Sequence, residues 1–94
     1  MAWTQEVTAT DAEWRAMLRA ALQPYPCRWG AAQHCEVALG DGTVHLAWSA
    51  LPQRVMASLR LPRLRVTACA KGVAGADWID FQRRLALYTQ RGGG

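Results

Sequence analysis

The sequence predicts a two-layer α+β domain: an antiparallel four-stranded sheet with two helices on one face, in the order α-β-β-β-β-α. Three observations carry this. Thr10 and Glu13 form a capping box ahead of an apolar stripe at helical spacing. Asp41-Gly42 separates two runs in which apolar and polar residues alternate. A second helical stripe follows Asp77. Sequential hairpins favour antiparallel pairing, and the sheet's apolar face is the one large surface against which both stripes can be buried.

Residues 1–9 read as a short edge strand or a loose arm. The first helix carries Trp14, Met17, Leu18, Ala21 and Leu22 on one stripe, and Pro24 stops it near Gln23. Residues 24–30, Pro-Tyr-Pro-Cys-Arg-Trp-Gly, read as a loop. With Asp41-Gly42 as a two-residue turn, Leu39 faces Val44, Val37 faces Leu46 and Cys35 faces Trp48 on one side. His34, Glu36, Ala38 and His45 then point to the other. Next, Val55, Ala57, Leu59 and Leu61 alternate with Arg54, Met56, Ser58 and Arg60. Past Pro62 the phase slips, and Leu64, Val66, Ala68 and Ala70 alternate with Arg65, Thr67, Cys69 and Lys71. A tight turn at Pro62-Arg63 restores a common apolar face. Proline opposes the positive φ such a turn prefers, so a bulge or a longer loop is the alternative. A short helix over 52–59, with Pro52 at its first position, is a further one. The closing helix takes Asp77 as N-cap, with Trp78, Phe81, Leu85 and Tyr88 inward and Asp80, Arg84, Leu87 and Arg91 opposite. The glycines at 92–94 stop it and form a flexible tail.

A chain of 94 residues makes a single domain over 1–94. Its 51% hydrophobic content marks it as globular. No apolar run approaches the roughly 18 residues that cross a bilayer, so no membrane partner is expected. The N-terminus has neither a basic patch nor an apolar stretch, so no secretory signal is expected. Three cysteines, Cys27, Cys35 and Cys69, show no short pair spacing, which fits a reducing, cytoplasmic location.

The net charge of +4 is uneven. Residues 1–41 total −2 and residues 42–94 total +6, with no acid between Asp41 and Asp77. Arg54, Arg60, Arg65 and Lys71 fall on the sheet face away from the helices, and Arg63 joins them from the turn. In the tight-turn register Arg60 sits opposite Arg65 and Arg54 opposite Lys71, an arrangement that is unstable unless something anionic lies between. These five residues are the candidate polyanion site. The face offers no aromatic ring for base stacking. Trp14, Trp48 and Trp78 belong to the core, while Trp3 and Trp29, outside regular elements, either cap the core rim or serve as interface anchors.

No catalytic motif is present. His34, Glu36, His45 and Cys69 share a face but lack metal-ligand spacing, so no metal and no cofactor are expected. Cys27, beside Arg28, is the candidate reactive thiol, and Cys35 points inward. The glycines have no phosphate-cradle spacing. From Leu61-Pro62-Arg63, through Phe81, Arg84 and Tyr88, to Gln90-Arg91-Gly92-Gly93-Gly94, the last third of the chain resembles a family of small proteobacterial proteins with no assigned activity. The resemblance implies a bacterial cytosolic origin and brings no functional residue.

The function expected is a non-enzymatic interaction module with a protein partner or itself, as a homodimer paired through an open sheet face or edge. The alternative is nucleic-acid or polyanion binding through a basic sheet face. A thiol- or metal-dependent activity ranks third.

Overall fold

The computed structural model describes residues 1–30 and 32–89. The expected tail at 92–94, and the Gln90–Gly94 motif of the family resemblance, lie outside the described residues. The order is β1 (Ala2–Val7), α1 (Asp11–Leu22), β2 (Cys27–Trp29), β3 (His34–Leu39), β4 (Gly42–Met56), β5 (Leu59–Lys71) and α2 (Gly75–Thr89). The α+β class holds, but the sheet has five strands, not four, in the spatial order β1-β5-β4-β3-β2. Every neighbouring pair is antiparallel.

Strand alternation shows where the helices lie. Cys35, Val37 and Leu39 of β3, Val44, Leu46 and Trp48 of β4, and Leu64, Val66, Ala68 and Ala70 of β5 are all buried, in one cluster with Trp14 and Leu18 of α1 and Trp78, Phe81 and Leu85 of α2. The residues between them on each strand are exposed or half-buried. Both helices therefore cover one face and leave the other open.

α1 begins as its sequence dictates. The Glu13 amide donates to Thr10 Oγ1 (3.1 Å) and the Thr10 amide to Glu13 Oε1 (2.9 Å), so the capping box forms in full. Asp11, in the first helical turn, ties this end to the sheet. It accepts from Trp48 Nε1 at 2.7 Å, from Arg15 Nε at 2.7 Å and from Gln33 Nε2 at 3.3 Å. The other end of α1 is closed from α2. Arg84 Nε donates to the carbonyl of Ala21 at 2.6 Å, placing a cation where the helix dipole is negative. Arg84 thus faces α1 and not the far side of its helix. Tyr88 was expected inward but is 40% exposed, with the Arg84 guanidinium 4.6 Å from its ring centroid. α2 starts at Gly75, so Asp77 lies inside the first turn and is not the cap.

The strands correct several expectations. Residues 1–9 contain a true edge strand: β1 pairs with β5 from Ala2↔Cys69 to Val7↔Leu64, and the Met1 ammonium donates to the Ala70 carbonyl at 3.1 Å. The 24–30 loop contains β2, held to β3 by Cys27↔Val37 and Trp29↔Cys35. The β3–β4 turn is Gly40-Asp41, so Val37 faces Val44, Cys35 faces Leu46 and Leu39 faces Gly42. This register is two residues away from the expected one, which keeps every side chain on its expected face. Gly40 takes φ 60°, the positive value a tight hairpin turn demands.

The largest correction lies at 54–63. Pro62-Arg63 is no turn, and 52–59 is no helix. β5 runs straight through Pro62, and the chain reverses at Ala57-Ser58, where Ala57 takes φ 55°. A bulge is present, but on β4: Leu51 pairs with Arg63 and Arg54 with Leu61, so Pro52 and Gln53 oppose Pro62 alone, while unbroken β5 turns Leu59 and Leu61 to the side opposite Leu64 and Val66. Both prolines sit where the ladder is already interrupted, which is where a residue without an N–H costs least.

At the other end of the sheet, a Cβ on Gly42 would collide with the backbone of Lys71 and Gly72. Gly42→Ala is expected to lower stability by about 1–3 kcal/mol, as other overpacking substitutions do, read from the urea midpoint. Asp11 gives a pH test. The Trp48 bond first, then Arg15, holds its carboxyl below the ordinary 3.8. A folded value below the unfolded one means the stabilisation is complete above about pH 4 and is lost as pH falls through the folded value. Asp11→Ala should therefore cost about 1 kcal/mol at pH 7, with the gap to the parent closing below pH 4 in parallel urea titrations.

Candidate interaction surface

The open face is built by register. One row crosses β2 to β5 as Arg28, Glu36, His45 and Cys69, since Arg28 pairs with Glu36, Glu36 with His45 and His45 with Cys69. Glu36 Oε2 lies 3.8 Å from His45 Nδ1, close enough for attraction but too far for a hydrogen bond. His34 and His45 have ring centroids 5.9 Å apart. In a further row Arg65 lies between Glu6 and Ser49, and Lys71 lies opposite Thr43. Among the described residues no three His, Cys, Asp or Glu side chains converge as metal ligands.

The expected pairing of like charges does not occur. Arg60 stands opposite Val55, and Arg54 opposite Leu61. Arg65 and Lys71 do lie on the open face. There Arg65 has Glu6 as a cross-strand neighbour, so this face mixes both signs and is not uniformly basic. Glu6 was missed because residues 1–9 read equally as an edge strand or a loose arm, and Arg28 because residues 24–30 read as a loop. The one signal available was weak: the partly alternating Trp3, Gln5 and Val7, of which only Trp3 and Val7 are apolar.

The unexpected feature is an arm. β3 pairs with β4 only as far as His34↔Ala47, and β1 with β5 only as far as Val7↔Leu64. Beyond that, β4 and β5 pair with each other alone. Every residue from 52 to 60 is exposed, including Val55 at 62%, Met56 at 54% and Leu59 at 63%. Arg63 sits at the root as a clamp. Its Nε donates to the Pro52 carbonyl at 3.0 Å and its Nη1 lies 3.2 Å from Glu6 Oε2. Arg63 therefore holds the bulge, and its charge is already engaged. The Arg54 and Arg60 side chains make no ion pair or hydrogen bond to any described residue. Arg54, Met56, Leu59 and Leu61 share one side of the arm, and Val55 and Arg60 the other.

Trp3 and Trp29 are half-buried and pack against the core. Trp29 meets Trp48 edge-on with centroids 6.5 Å apart, and the Arg19 guanidinium lies 5.3 Å from its ring centroid. Both tryptophans stand at the core rim.

Cys27 is not an activated thiol. It is half-buried, with Sγ 3.3 Å from the Tyr25 carbonyl, and burial pushes its pKa up. Burial and the neighbouring Cys27 drive Cys35 to about 12. Both stay protonated, and so unreactive, at neutral pH. Only Cys69 is exposed. A chromogenic disulfide reagent at pH 8 should therefore titrate one thiol rapidly in the native protein and three in denaturant. Cys69→Ser should abolish the fast phase.

No known protein-family model matches the chain, and no curated protein matches it significantly. The surface must be read from its own geometry.

Proposed function

We propose that this chain is a non-enzymatic interaction module whose contact element is the projecting β4–β5 hairpin. The supporting observation is the exposure of Val55, Met56 and Leu59, each more than half accessible, on a ribbon with no layer beneath it. An isolated two-stranded hairpin is at best marginally stable in water. Apolar side chains grouped with unpaired arginines resemble the composition of interface centres, where methionine and arginine are enriched. The open sheet face, with its mixed charges, is the weaker contact surface.

A second reading, homodimerisation, is favoured by the free edge of β1, whose residues Thr4 to Glu6 are exposed and which pairs on one side only. The arm itself resists pairing with a second arm, because that would bring Arg54 and Arg60 of both copies together.

The test is a photo-crosslinking amino acid placed at position 56, with position 67 on the open face as control, in cells that express the protein. Adducts at 56 and none at 67 are expected; an absence of adducts at 56 would remove the hairpin as the contact element. Sedimentation at high concentration showing only monomer would remove the dimer.

A further inference from the structure

Granting that the hairpin is the contact element, the geometry points to the groove of a B-form DNA duplex as its partner. Three independent observations converge. The first is charge: residues 42–76 contain four arginines and one lysine and no acid. The only one of these cations with a salt-bridge partner among the described residues is Arg63. Arg54 and Arg60 on the arm, and Arg65 at its base, remain available to phosphates, whereas Lys71 lies at the opposite end of β5. The second is shape. The arm is two strands wide, and the B-form major groove, about 12 Å wide and 8.5 Å deep, admits a two-stranded ribbon. From Ala50 to the turn is about seven residues, or roughly 20 Å of strand. That is enough to lie in the groove while the body rests over the backbone.

The third observation is the apolar end. Val55, Met56 and Leu59 stand beside the arginines, and apolar side chains are the type that contacts thymine methyl groups or wedges between base steps. With one arginine on each side of the ribbon, both groove walls can be met. A-form RNA presents a major groove too deep and narrow for side chains to read, so the same geometry predicts discrimination against it. A single strand, lacking groove walls, would find no aromatic platform on this surface.

The experiment is fluorescence anisotropy with a labelled duplex DNA of about 25 base pairs (three to four contacts). Comparison ligands are the single strand, an RNA duplex of equal length and polyglutamate, each from 20 to 200 mM salt. The intact chain should bind the DNA duplex most tightly, with log K falling against log salt at a slope near −3. Arg54→Ala/Arg60→Ala should make that slope shallower by about 2 and weaken binding at least tenfold at low salt. Met56→Ser/Leu59→Ser should weaken binding and leave the slope unchanged. Arg83→Ala, an exposed cation on α2, should bind as the parent does. Unfolding midpoints confirm that each variant is folded. No duplex binding at 20 mM salt overturns the inference. So does equal affinity for single strand or RNA duplex, or loss by Arg83→Ala equal to that from the arm pair. Binding to polyglutamate alone overturns it in favour of an acidic protein. Adducts at position 56 alongside any of these results would leave the hairpin as contact element with a different partner.

Discussion

The helix layer is shorter than the ribbon it covers, and the rest of the molecule is arranged around that mismatch. Helices of 12 and 15 residues extend about 18 and 22 Å, whereas a 15-residue strand such as β4 extends roughly 50 Å. The long axis of the molecule, 47 Å, is that of the ribbon. Burial follows the helices: it runs from Val44 to Trp48 on β4 and from Leu64 to Ala70 on β5, then stops. The flanking strands stop there too, since a strand beyond the helices would have no core to join. Apolar residues past the boundary are exposed because nothing lies over them.

The arginines divide by what they touch. Arg15 bonds Asp11 and the Ala32 carbonyl and lies over Trp48. Arg84 closes α1, and Arg63 holds the bulge to β1. Each of these uses the planar, multi-donor guanidinium in a way lysine cannot reproduce. Arg54, Arg60 and Arg65 have no such duties. Net charge treats all six alike, so a count of cations overstates the surface open to an anion. The useful quantity is the charge left over after internal bonds.

Much of the fold was legible because its signals are local. The Thr10–Glu13 box and the α1 stripe lie within one turn of the residues they organise, and the helix appears where they place it. The β3–β4 register was ambiguous because both Gly40-Asp41 and Asp41-Gly42 supply a glycine to a tight turn, and face assignment survives either choice. The arm was illegible for a sharper reason. Its turn places alanine, not glycine, at positive φ, while the strongest turn signal nearby, Pro62, lies mid-strand opposite a bulge. β2 is only three residues long and is fixed by Trp29 against Trp48, a contact no local pattern announces. The candidate cations were identifiable by type, but their neighbours depended on a turn five residues from where it was sought.

The bulge at Pro52 and Gln53 acts as a swivel. Because a bulge bends the strand that carries the extra residue, removing one of the two would straighten the ribbon at this point while Arg54 keeps Leu61 and Met56 keeps Leu59 as partners. No buried residue would shift, since all of them lie on the near side of the break. The heading of the arm is thus separable from the stability of the body. A single-codon insertion or deletion can redirect what the molecule presents to its surroundings while the scaffold stays as it is.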